Sequence, residues 1–106
     1  MDFLKKLFSS APSADFNDLV KNGATILDVR TRGEYAGGHV KGSINIPLNE
    51  LPSNLNKLDK SKAIITCCAS GMRSGSARSL LLSNGFTEVH NGGGWSTLSR
   101  QIKSSK

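Results

Sequence analysis

The sequence predicts one small three-layer α/β domain with a mostly parallel sheet, and two observations carry that expectation. Short β-branched and aliphatic runs alternate with stretches whose apolar residues recur every three or four positions, so strand and helix periods take turns. The chain has 106 residues, 37% hydrophobic and 21% charged, which is enough for one core without disulfide or metal and too little for two. The same composition excludes collagen-like and disordered chains.

Residues 1–14 read as an amphipathic segment and linker. Phe3, Leu4, Leu7 and Phe8 share a helical face opposite Lys5 and Lys6, suited to docking on the domain or to anchoring at a membrane surface or partner. The domain itself is expected over residues 15–102. Phe16, Leu19 and Val20 repeat at helical spacing after Asp15 and stop at Gly23, a residue that suits the position past a helix end. Residues 25–29 form a buried strand ending in charge at Arg30, and residues 31–38 are polar with one helical turn. Ile44 and Ile46 alternate in a second strand over residues 43–47, which Pro47 terminates. Leu48, Leu51, Leu55 and Leu58 then predict a helix over 48–58, with Pro52 at a possible start. Residues 63–67 make the most apolar strand. A long helix follows from Ser74, with Ala77, Leu80 and Leu81 inward and Asn84 and Gly85 as its stop. Residues 87–90 are the last strand and 91–94 a tight turn. Trp95, Leu98 and Ile102 are spaced for a closing helix, and 103–106 is a basic tail.

Fourteen Lys and Arg against eight Asp and Glu leave a net charge of +6, but Lys5, Lys6, Arg100, Lys103 and Lys106 place much of the excess at the chain ends. The rest is scattered, with only 6% aromatics, so no nucleic-acid footprint exists. Lys57, Lys60 and Lys62 read as a solvated loop. No apolar run reaches the ~18 to 20 residues of a membrane span. No continuous apolar core of ~7 to 15 residues marks a secretory leader either, so a cytoplasmic protein is expected, with monomer as the default state. His39 and His90 have no cysteine or carboxylate at ligand spacing, which argues for neither metal nor cofactor. Residues 92–94 lack the Lys-Ser/Thr that completes a phosphate loop.

The chemistry is expected beyond the carboxyl ends of the strands, where open α/β sheets bind ligands. Cys67 and Cys68 stand there, and as neighbours with Cα atoms ~3.8 Å apart they are too close for an ordinary disulfide of ~4.4 to 6.8 Å. The following residues Ala69, Ser70, Gly71, Met72 and Arg73 lead into a helix at Ser74. Free N–H groups of such a loop, the helix dipole and Arg73 together make an anion cradle around a sulfur. A thiol in that cradle has its pKa pulled below ~8.5 and becomes a thiolate nucleophile. Two frames compete. Counted from Cys67 the pattern is Cys-x5-Arg-Ser, the phosphatase spacing, but Ser70 then stands where phosphatase-type loops carry glycine, and no general acid for an aryl-phosphate leaving group is evident. Counted from Cys68 it is Cys-x2-Gly-x-Arg-Ser, with Gly71 in place. Cys67, one strand position earlier, points to the opposite face and reads as packing.

Four blocks follow in order: Leu27-Asp28-Val29-Arg30 with Glu34-Tyr35; Gly38-His39-Val40-Lys41-Gly42-Ser43-Ile44-Asn45-Ile46-Pro47; Cys68 to Ser74; and the Gly-rich stretch Asn91 to Gly94. Together they give the chain a strong resemblance to single-domain rhodaneses, the thiosulfate sulfurtransferases. The resemblance implies a three-layer α/β/α fold around a small, mostly parallel five-stranded sheet, with Cys68 as catalytic nucleophile and residues 69–74 as the anion-binding loop. Asp28 and Arg30 would hold loops at the strand ends and His39 would support a turn. The implied reaction moves a sulfane sulfur from thiosulfate or a persulfide through a Cys68 persulfide to a thiol, protein or cyanide acceptor. A sulfur carrier with little small-molecule turnover is the alternative. Ala69 and Met72 replace polar or basic residues common in the family, leaving Arg73 the only charge in the loop and favouring persulfide or protein donors over thiosulfate. Leu98 stands where the family places a tryptophan, with Trp95 three residues earlier.

Overall fold

The computed structural model describes residues 15–103. The amphipathic segment and nearly all of the basic tail lie outside them. Four strands form one wholly parallel sheet: β1 (Thr25–Asp28), β2 (Ile44–Asn45), β3 (Ile64–Cys68) and β4 (Val89–Gly94), in spatial order β2-β1-β3-β4. The fold class is the expected one, with four strands rather than five. The four strands expected at 25–29, 43–47, 63–67 and 87–90 account for all four.

Alternation along the strands makes the three layers. Leu27, Val29, Ile64 and Cys68 face one side, where α3 (Met72–Ser83) presents Ala77 and Leu81 and the segment after β2 presents Leu51 and Leu58. Ile26, Ile65 and Cys67 face the other, covered by α1 (Phe16–Lys21) and α4 (Trp95–Lys103) through Phe16, Leu19, Val20, Trp95, Leu98 and Ile102. Asp15 starts α1 by accepting hydrogen bonds from the N–H groups of Asn17 and Asp18, and α2 (Arg32–Ala36) opens on a capping box between Thr31 and Glu34. No helix among the described residues is long and apolar enough to cross a membrane.

Three boundaries differ from expectation for physical reasons. The predicted helix over 48–58 is two 3₁₀ segments, Leu48–Ser53 and Leu55–Lys57. Pro52 has no N–H to continue an α-helical ladder, and Asn54 at φ −128° breaks the axis, so the N–H groups of Asn54 and Leu58 close shorter i→i+3 bonds to Leu51 and Leu55. The last strand runs through the predicted turn at 91–94. It crosses a register shift opposite Thr66 and Cys68, a bulge that glycine allows with Gly93 at φ +77°. Helix α3 begins at Met72, two residues before the expected Ser74, because Gly71 at φ +108° turns the chain into it.

Candidate functional site

β3 is buried along its whole length and carries Cys68 to the carboxyl edge of the sheet. There the chain reverses through Ala69, Ser70 and Gly71 into α3, so that the loop wraps the sulfur. Cys68 Sγ accepts the N–H of Gly71 at 3.0 Å and of Ser74 at 3.3 Å, and Ser74 Oγ lies 3.5 Å away. The residue is 1% exposed, while Ala69, Ser70 and Met72 face solvent, Met72 at 82%. Burial raises the thiol's pKa, but hydrogen bonds from the Ser74 hydroxyl and from the N–H groups of Ser74, Gly71 and Ser70 outweigh it, and the net shift is downward. Cys67 has the opposite fate. Its side chain lies in the core on the other face, where burial, with the charge of Asp28 adding to it, pushes the thiol up to about 12.

Ser74 is wholly buried and held from three sides. Its hydroxyl contacts Asn91 Oδ1 at 2.6 Å and Gly71 O at 3.0 Å, and its carbonyl accepts the hydroxyl of Thr66 at 2.9 Å. Asn91 Oδ1 also accepts the N–H of Gly93 at 2.9 Å, so the bulge of β4 is tied to the sulfur loop. Replacing Ser74 with alanine is therefore expected to raise the Cys68 pKa, because it removes the hydroxyl beside the sulfur. Because the thiolate is the reactive form, the alkylation-rate profile should move to higher pH and the rate near neutrality should fall. An unmoved profile would contradict the role given to the hydroxyl.

Arg73 enters α3 beside the loop, one residue before Ser74. The sulfur's hydrogen bonds come from the backbone and Ser74, and the guanidinium instead forks onto Glu34, with Nη1 to Oε1 at 2.8 Å and Nη2 to Oε2 at 3.0 Å. This pair, with the Thr31 N–H behind it, holds the Glu34 carboxyl down at about 2. Beside Arg73 a cleft of about 330 Å³, also lined by Val29, Thr31, Pro47, Leu48 and Asn49, opens at the ends of β1 and β2.

Asp28 and Arg30 stand apart from the sulfur. Arg30 Nε lies 3.0 Å from both Asp28 oxygens and Nη2 lies 2.7 Å from Oδ2, with the two residues 4% and 0% exposed. The same guanidinium donates to Gly38 O at 2.7 Å and Glu34 O at 3.3 Å and lies 4.7 Å from the Trp95 ring centre. It thus ties the middle of α2 and the turn after it to the sheet, and the tryptophan that stands three residues early covers it. His39 stacks on Tyr35 at 3.8 Å and places Nδ1 2.8 Å from Tyr35 O, away from the sulfur.

Sequence reasoning missed Glu34, Asn91 and Thr66 as parts of the site. Glu34 carries a local signal, the Thr-x-x-Glu capping box, but that motif reports a helix start and not the arginine it meets across the fold.

A parallel sheet that delivers a buried cysteine into a loop of N–H donors at a helix start defines an α/β thiol protein. The family model for the rhodanese-like domain matches residues 13–100, and the chain belongs to that family. The uncharacterized protein YqhL of Bacillus subtilis is 38% identical over 84 residues, covering 78% of this chain and 67% of the relative. The thiosulfate sulfurtransferase PspE of Escherichia coli is 39% identical over 70 residues, covering 64% of this chain and 67% of the relative. Among solved structures, a rhodanese with anions from E. coli superposes with a TM-score of 0.66 at 36% identity, covering 70% of this chain and 89% of that one.

Proposed function

We propose that the protein is a sulfurtransferase that carries sulfane sulfur as a persulfide on Cys68. The observation that carries this reading is the pair of N–H donors at 3.0 and 3.3 Å from Sγ at the start of α3, which favours a thiolate and, after transfer, the anionic terminal sulfur of a persulfide. The thiolate attacks the outer sulfur of a donor. With thiosulfate a new S–S bond forms at Cys68, the old S–S bond breaks, and sulfite leaves with the electron pair. Cyanide, a thiol or an acceptor protein then attacks the terminal sulfur, and the Cys68 thiolate is the leaving group. No proton need move in the thiosulfate and cyanide case, which suits a site without a general acid. Membership in a family that includes a thiosulfate sulfurtransferase supports the reading.

One observation favours the second reading, a carrier that loads from a persulfide and turns over small molecules slowly. Arg73, the only charge in the loop, is already matched by Glu34. Initial rates of thiocyanate formation, measured over a grid of thiosulfate and cyanide concentrations and again with glutathione persulfide, decide between the two. The enzyme reading predicts parallel double-reciprocal lines, the mark of a covalent intermediate. Intersecting lines would contradict the relay, and a single equivalent of thiocyanate per chain without steady turnover would select the carrier.

A further inference from the structure

The described loop from Ala69 to Ser74 contains one charged side chain, and Glu34 takes both its terminal nitrogens in a bidentate pair at 2.8 and 3.0 Å. Glu34 is not a casual partner. It sits at the third position of α2, and its Oε1 also accepts the Thr31 N–H at 2.9 Å, so the helix presents the carboxylate before Arg73 arrives. Arg30 in turn fixes α2, through Glu34 O at 3.3 Å and Gly38 O at 2.7 Å, to the buried carboxylate of Asp28. The carboxylate beside the loop is therefore anchored to the sheet, and Arg73 bends to it.

The consequence is electrostatic. At the rim of the loop the guanidinium and the carboxylate cancel, and attraction for an anion rests on backbone N–H groups, which are dipoles and not charges. A donor with two negative charges gains no compensating cation there, because Glu34 has taken it, while a neutral or singly charged donor loses less. From this geometry we infer that Glu34 sets donor selectivity, disfavouring doubly charged inorganic sulfane-sulfur donors relative to singly charged and neutral ones. The inference rests on the sulfurtransferase reading and names the donor class within it.

The test uses Glu34→Gln, which keeps an oxygen for the Thr31 N–H, and Arg73→Met, which leaves the carboxylate without its partner. Cys68 is alkylated with iodoacetate and with iodoacetamide, and the ratio of the two rate constants is taken. Changes in the sulfur's own reactivity cancel in that ratio, so it reads the field at the site and needs no sulfur transfer. In water-like surroundings a unit charge acting over roughly 8 Å is worth about two- to threefold per unit charge on the reagent. Glu34→Gln is therefore expected to raise the ratio about two- to threefold, and kcat/KM for thiosulfate by about four- to ninefold. Both gains should shrink as salt is added. Arg73→Met should lower the ratio. A ratio unchanged or lowered by Glu34→Gln overturns the inference whether or not the protein turns over thiosulfate. A raised ratio with unchanged thiosulfate kcat/KM overturns it as well. Sulfur loading absent from wild type and both variants, with every donor offered, would overturn the sulfurtransferase reading instead, because the ratio reports on Glu34 independently.

Discussion

Replacing Arg30 with methionine is expected to destabilise the domain by about 3–5 kcal/mol, the usual loss when one partner of a buried ion pair is removed. Asp28 is fully buried at the end of β1. In wild type its carboxylate accepts Arg30 Nε and Nη2 at 2.7 to 3.0 Å, besides the Arg30 N–H at 3.0 Å. The variant keeps the N–H and loses the charge, leaving a carboxylate without water or a cation. It also removes the donors to Gly38 O and Glu34 O and the cation from the Trp95 ring. Against a typical total of 5–15 kcal/mol, that loss is large. Urea unfolding checks it. The double variant Asp28→Leu with Arg30→Met should recover a substantial part, because replacing both partners removes the uncompensated charge. Wild-type stability in the single variant would contradict the role given to the pair.

The same pair shows what was legible in the sequence. Asp28 and Arg30 stand in the first motif block at the end of a strand run, and the buried ion pair they form lies there. The sulfur loop was legible for a physical reason: strand, short turn and helix start are consecutive, so the N–H donors that surround Cys68 lie within six residues of it. Partners distant in sequence were not. Glu34 lies 39 positions from Arg73 and Asn91 lies 17 from Ser74, and neither contact has a local pattern.

The glycines at 92–94 misled for a related reason. Glycine-rich composition signals a turn, yet here it lets β4 press against β3. A Cβ on Gly92 would stand 2.8 Å from Ile65 Cγ2 and Thr66 O and 3.0 Å from Leu98 Cδ2, residues that only the folded sheet brings near. The 3₁₀ segments taught a narrower lesson. Leucine spacing of three and four over 48–58 satisfies a 3₁₀ turn as well as an α-helix, and Pro52 decided between them.

The largest effect belongs to Cys68. A serine hydroxyl in the same cradle stays protonated and cannot hold a sulfane sulfur, so Cys68→Ser should reduce thiocyanate formation by at least about three orders of magnitude. Cys67→Ser should leave it nearly unchanged, since that thiol lies in the core on the opposite face with its pKa pushed up to about 12. The most direct measurement is the intact mass of wild type and both variants after incubation with thiosulfate or glutathione persulfide, and again after cyanide. The relay predicts one added sulfur atom on wild type and on Cys67→Ser, none on Cys68→Ser, and its release as thiocyanate. Sulfur added to Cys68→Ser, or none added to wild type by either donor, would contradict a persulfide at Cys68.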